Sequence, residues 1–200
     1  GMHGTYAANM GMSEADLIIS FGARFDDRVT GKLSEFAKNA EVIHVDVDPS
    51  SISKLVNADY PIVGDLKIVL NELITTLKTD GFDKDRLTPW MELINRFDEL
   101  HPLSKTYSED GKALKPQTVI KKMGEILPKD VIVTTDVGQH QMWAAQFFPF
   151  NEPRQWVTSG GLGTMGFGFP AAMGAKVACP QKTVVNITGD GSIQMNIQEM

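Results

Sequence analysis

Residues 41–78 read EVIHVDVDPSSISKLVNADYPIVGDLKIVLNELITTLK. The opening EVIHVDV is strand-like: Val42, Ile43, Val45 and Val47 are β-branched and suit a sheet covered on both faces. Asp48-Pro49-Ser50 breaks that strand, and Ser50 or Ser51 is placed to cap a helix over SISKLVNA, residues 51–58. YPIVGD reads as another short strand. Beyond it Leu66, Val69, Leu70, Leu73, Ile74 and Leu77 recur at helical spacing. Strands and helices alternating at these lengths argue for a parallel sheet, because parallel neighbours need a crossover between them.

Working outward, DLIISF (16–21) reads as a short buried strand ending at a Gly22 turn. After residue 79 the chain turns polar and is broken by Gly and Pro in TDGFDKDR, HPLSK and YSEDGKALKP. One helix near residues 89–100 interrupts this stretch, so residues 80–115 are expected to link a first unit, 1–79, to a second, 116–200. The second unit opens with Pro116 at a helix start, and Val119, Ile120, Met123 and Leu127 mark that helix's inner face. DVIVTTD, RQWVTS and KTVVNIT read as its strands. VGQHQMWAAQFF, stopped by Pro149, and AAMGAKVA read as its helices. The expected fold class is therefore α/β, with two open parallel-sheet units.

Composition excludes several function classes. Hydrophobic residues are 42% and charged residues 22% of 200, which is ordinary for a globular chain. No apolar run reaches the roughly 18 residues of a membrane span, and no basic segment leads into an apolar one at the start. The net charge is −6, with the excess in residues 1–80, where twelve acidic side chains face seven basic ones. No basic stripe is present, so neither nucleic acid nor a membrane is an expected partner. The lone Cys179 forbids an intramolecular disulfide, and His3, His44, His101 and His140 form no i, i+4 pair.

Four constellations can carry chemistry. Gly189-Asp190-Gly191-Ser192 follows a strand, where an open parallel sheet collects ligands, and a carboxylate there suits Mg²⁺ beside phosphates. Asp190 can equally be a helix cap. Residues 161–166, GLGTMG, spell G-x-G-x-x-G and keep a nicotinamide dinucleotide site open, although the continuing Gly168 and Gly174 equally suit close backbone packing. GARFDDRVTGK (22–32) offers Arg24 and Arg28 to a phosphate, and Asp46 can take hydrogen bonds from a ribose, unless these groups only pair and cap one another. Gln139, His140 and Gln141 follow the strand at 130–136; a single histidine there is a catalyst or a structural group.

GMHGT, FGARFDDRVTGK, HVDVDP, VGQHQMW, SGGLGTMGFGFPAA and GDGSIQMN stand here in the order and spacing of the catalytic subunit of acetohydroxyacid (acetolactate) synthase, which the whole chain resembles. The resemblance implies decarboxylation of pyruvate on thiamine diphosphate. The two-carbon unit then passes to pyruvate or 2-ketobutyrate, giving the precursors of branched-chain amino acids. It places Asp190 as a Mg²⁺ ligand and Gly191 and Ser192 along the diphosphate. Gln139, His140, Gly163, Thr164 and Met165 fall at the thiamine, with Met165 propping its two rings. Gly1, Met2, His3, Gly22, Ala23, Arg24, Phe25, Asp26, Asp46, Val47, Asp65 and Leu66 match FAD contacts, the flavin being mainly structural. It further implies an internal fragment, inactive alone. Residues 1–79 would be part of the FAD-binding middle domain and 116–200 part of the thiamine diphosphate domain, each sheet incomplete. The activating glutamate and the remaining Mg²⁺ ligands would lie outside these residues. Implied for the parent are a homodimer or higher oligomer, a small regulatory subunit, and a cytoplasmic, bacterial-type location with an organellar origin left open. Another FAD-containing carboligase of glyoxylate type, the dehydrogenase and a non-catalytic flavin-binding module are the alternatives.

Overall fold

The structure, a computed structural model, describes residues 1–105 and 113–200. The rest of the expected connection, including most of YSEDGKALKP, lies outside the described residues. The chain divides into two compact units, Gly1–Thr106 and Tyr107–Met200.

The first unit runs α1 (Tyr6–Glu14), β1 (Leu17–Phe21), α2 (Asp27–Thr30), β2 (Glu41–Asp46), β3 (Tyr60–Val63), α3 (Leu66–Asp80) and α4 (Thr88–Leu100). Its strands form one parallel sheet in the order β1-β2-β3, with Ser20 opposite His44 and Val45 opposite Ile62. Val42, His44 and Val45 of the central strand are its buried heart. The β2 expectation holds over residues 41–46, and Val47 falls outside the strand, exposed.

Three features depart from the sequence reading. DLIISF is a strand but not a buried one: β1 is a sheet edge, and Leu17, Ile19 and Phe21 on its alternate face are exposed. Residues 51–58 form turns, not a helix. Local side chains take the backbone bonds a helix needs. The Asp48 carboxylate accepts from the Ser50 amide at 2.9 Å and its hydroxyl at 2.8 Å, and Ser53, at φ 55°, accepts from the Ala58 amide at 3.0 Å. Helix α1 was not legible, because YAANMGMSE has no continuous apolar stripe. Thr5 starts it by accepting from the Ala8 amide, and packing on α4 holds it, with the Tyr6 ring 6.1 Å from Phe97 and 4.1 Å from His101. The helix of the expected connection thus packs within the first unit.

The second unit runs α5 (Pro116–Ile126), β4 (Ile132–Thr135), α6 (Gln139–Phe147), β5 (Trp156–Thr158), α7 (Gly168–Ala178), β6 (Val184–Ile187) and α8 (Asp190–Gln194). All three strands are parallel, in the order β5-β4-β6, so β4 is central and every one of its residues is buried. The chain passes by α6 to one side of β4 and by α7 to the other. The carboxyl end of β4 is therefore a topological switch point, where a crevice opens between diverging crossovers. Helix α7 begins at Gly168, ahead of the expected Ala171. The Thr134 hydroxyl lies 3.1 Å from the Gly168 carbonyl and 3.1 Å from the Asn186 amide oxygen, tying α7 to β4 and β6. No helix among the described residues is long and apolar enough to cross a membrane.

Candidate cofactor site

The segments that leave β4, β5 and β6 at their carboxyl ends carry the second-unit residues that the resemblance assigns to thiamine diphosphate and Mg²⁺. Gln139 and His140 open α6 after β4, with Gln139 exposed. Gly138, at φ 153° and with the His140 ring where a Cβ would sit, makes that entry possible. A Cβ on Gly189 would also stand 3.0 Å from the His140 ring, so the loops after β4 and β6 are in direct contact through this histidine. From the loop after β5, the Met165 Cε reaches 3.6 Å from where Gly191 would carry a Cβ. Gly163, at φ 64°, and Thr164 are exposed in the same loop, the Thr164 amide donating to the Ser159 hydroxyl at 2.9 Å.

Asp190 is exposed at the first position of α8. The cap is Gly189, which makes no side-chain capping bond, so the capping role open to Asp190 in the sequence is not the one it plays. Ser192 is buried and its hydroxyl donates to the Val137 carbonyl at 3.1 Å, so its proton is used inside the protein. Among the described residues no group of three or more His, Cys, Asp or Glu could hold a metal, so Asp190 does not stand in such a cluster.

His140 is the chemically informative member. Its ring bonds the Asp136 backbone, while its Nε2 is buried without a partner. Desolvation by burial holds its pKa below the ordinary histidine value, although the Asp136 charge and backbone bond pull it upward. The folded protein thus keeps this imidazole neutral where an unfolded chain begins to protonate. Stability from this group is full above the unfolded pKa and is lost as pH falls through that value toward the lower folded one. A histidine NMR titration of the cofactor-free protein is expected to place His140 below the ordinary histidine value; a midpoint at that value would contradict the burial argument.

The residue missed from sequence is Asp136. It is fully buried, and its carboxylate accepts from the amides of Val137 at 3.0 Å, Gly166 at 2.7 Å and Gly168 at 3.0 Å. A strand-end aspartate before Val-Gly gives no sign of partners thirty residues away. This clamp also decides the G-x-G-x-x-G reading. In a dinucleotide site the amides at the helix start face a pyrophosphate. Here a protein carboxylate already takes the amides of Gly166 and Gly168, and the helix starts two residues after the last glycine of the motif.

In the first unit the candidates again collect at strand ends. Gly22, at φ 65° with open space about it, leaves β1, and the loop continues through Ala23, Arg24, Phe25 and Asp26. Asp46 ends β2 with Val47 just beyond it, and Asp65 and Leu66 follow β3. Arg24 pairs with Asp26 at 2.9 Å, and Asp26 caps α2 through the Arg28 amide. Phe25, at φ 52°, is buried, with its ring against Phe36 and His44. Asp46 accepts from the Asp48 amide at 2.8 Å, and Asp65 caps α3. The start of the chain is laced to the same loop: the Met2 amide donates to the Arg28 carbonyl at 2.9 Å, with Gly1 over Arg28 and Val29. The His3 Nε2 is buried without a partner.

Two parallel-sheet units, each gathering polar groups and glycines at its strand ends, match a known pair of domains. Residues 1–73 match the thiamine pyrophosphate enzyme central domain, and residues 136–200 match the C-terminal TPP binding domain. The chain belongs to the thiamine pyrophosphate enzymes. Within them its homologues are acetolactate synthase large subunits. It is 52% identical over 200 residues to that of Buchnera aphidicola from Acyrthosiphon pisum, and 50% identical over 202 residues to isozyme 3 of Escherichia coli K12. To the large subunit of Cyanidium caldarium it is 52% identical over 202 residues. All of this chain is covered in each case, but only 34%, 35% and 34% of the relatives, so it spans about a third of their length.

Proposed function

We propose that the full-length protein carrying this chain is an acetolactate synthase. It would decarboxylate pyruvate and join the remaining two carbons to a second pyruvate or to 2-ketobutyrate. One CO₂ leaves for each 2-acetolactate or 2-aceto-2-hydroxybutyrate formed. The observation that carries this reading is the meeting of His140, Met165 and Asp190–Ser192 at one switch point, with a buried, unpartnered Nε2 among them. Thiamine diphosphate, when bound there, supplies the electron sink for decarboxylation.

The protein's share is binding and orientation. Asp190 would give a carboxylate oxygen to the Mg²⁺ that anchors the diphosphate, with Gly191 and Ser192 alongside. Gln139 and His140 would border the same end, and Gly163, Thr164 and Met165 the ring end, where the exposed thioether gives an apolar surface. These donors fit the group: the Asp190 carboxylate is exposed at the start of α8, the glycines leave room, and the orphaned imidazole nitrogen awaits a polar partner. In the first unit, the open space at Gly22 and the Arg24 guanidinium support a flavin nucleotide along residues 22–26, Asp46–Val47 and Asp65–Leu66, with Gly1–His3 closing one side. The large-subunit relatives support a homo-oligomer with a small regulatory partner, and the bacterial ones a cytoplasmic enzyme. The test is product analysis with the full-length protein, thiamine diphosphate, Mg²⁺, FAD and pyruvate. Acetolactate and CO₂ in equal amounts are expected. Condensation of glyoxylate but not pyruvate would move the assignment to a glyoxylate-type carboligase, and no condensation at all would leave a flavin-binding module.

A further inference from the structure

Residues 136 and 137 touch all three loops of the crevice at once. The Asp136 carboxylate takes the amides of Gly166 and Gly168 after β5, its backbone bonds His140 of α6, and the Val137 carbonyl takes the Ser192 hydroxyl of α8. The Asp136 amide in turn donates to Ile187 at the end of β6. The fit is close: a Cβ on Gly168 would stand 2.6 Å from the Asp136 nitrogen.

We propose that Asp136 is the positioning residue of this crevice. Its carboxylate occupies the amino end of α7 as a built-in anion, and so holds the glycine loop as a wall of the crevice, not as a cradle for phosphate. An anion at a helix start is stabilised by the free amides there. With that place filled by the protein, a ligand's diphosphate is directed to the β4 and β6 loops, and the loop bearing Gly163 and Met165 is held at the ring end. This inference rests on the thiamine diphosphate reading above.

The test is Asp136→Asn in the full-length enzyme. Two amides point at Oδ1 and one at Oδ2, so either orientation of an asparagine sets an NH₂ against at least one N–H. The thiamine diphosphate concentration for half-maximal rate is expected to rise about 10- to 100-fold, as for lost supporting contacts around a bound group. At saturating cofactor kcat should stay within about threefold, and flavin content should not change, because Asp136 is assigned to placing the loop. A folded variant with wild-type half-saturation overturns the inference, as does a fall in kcat with half-saturation unchanged. If the variant does not fold, hydrogen exchange of the wild-type protein decides. Gly166 and Gly168 amides should be protected like those of β4, and exchange as fast as that of open loop amides overturns the clamp. Failure of the wild type to bind thiamine diphosphate sinks the underlying reading instead, and exchange still judges the clamp.

Discussion

Asp190→Ala in the full-length enzyme is expected to lower ketoacid condensation by roughly 100-fold or more at moderate Mg²⁺, with the loss partly recovered at high Mg²⁺. The reasoning starts from what Asp190 does not do. It accepts no capping bond, because Gly189 stands at the cap of α8, and its side chain is exposed at the end of β6. A removed helix cap costs about 1 kcal/mol, whereas an exposed first-turn carboxylate contributes at most roughly 0.3–1 kcal/mol through the helix dipole. The substitution should therefore change thermal stability little while removing the charged oxygen that the proposed function assigns to Mg²⁺. Rate measured against Mg²⁺ concentration, beside a melting curve, separates the two effects. Unchanged Mg²⁺ dependence and unchanged rate would sink the metal assignment; a collapse of stability with normal Mg²⁺ dependence would make Asp190 a structural residue. Asp190→Asn, which keeps an oxygen but not the charge, should fall between.

How much of this was legible in the residues follows from how local each signal is. The strands announced themselves because β-branched runs such as VIVTT and VIHV have few other uses. Helix α3 was plain from its apolar repeat, and the crevice from the rule that ligands gather at strand ends. Burial was less legible: DLIISF looks like a core strand, and only the strand order shows it at an edge. Residues 51–58 have helical composition, yet the Asp48 and Ser53 side chains capture the amides first, a competition that periodicity does not register. Asp136 was invisible for the opposite reason, since its partners lie far along the chain. The same long-range bonds turn a literal G-x-G-x-x-G into a clamped loop. The motif records where glycine is needed, not whether the need is for a ligand or for another part of the protein.

That distinction yields the second large effect. Gly168 and Gly174 lie in the same helix, α7, and the same substitution should move them in opposite directions. At Gly168 an alanine methyl would meet the Asp136 nitrogen at 2.6 Å, the Asn186 amide oxygen at 2.8 Å and the Thr135 carbonyl carbon at 2.8 Å. Two of the three are backbone of or beside the fully buried β4, so the strand cannot retreat without breaking its ladder. Overpacking of this kind costs about 1–3 kcal/mol, and loss of the Gly168 amide bond to Asp136 adds to it. At Gly174 nothing lies within 4 Å of the added methyl, and a helix interior prefers alanine to glycine by roughly 0.5–1 kcal/mol. Urea denaturation followed by tryptophan fluorescence, with Trp90 of α4 replaced by Phe in every chain compared, reads the second unit through Trp143 and Trp156. Gly168→Ala is expected to unfold at clearly lower urea than the parent chain, and Gly174→Ala at equal or higher urea. If both variants shift alike, glycine in α7 is a matter of helix propensity alone. The close approach of α7 to β4, on which the shape of the crevice depends, would then be wrong.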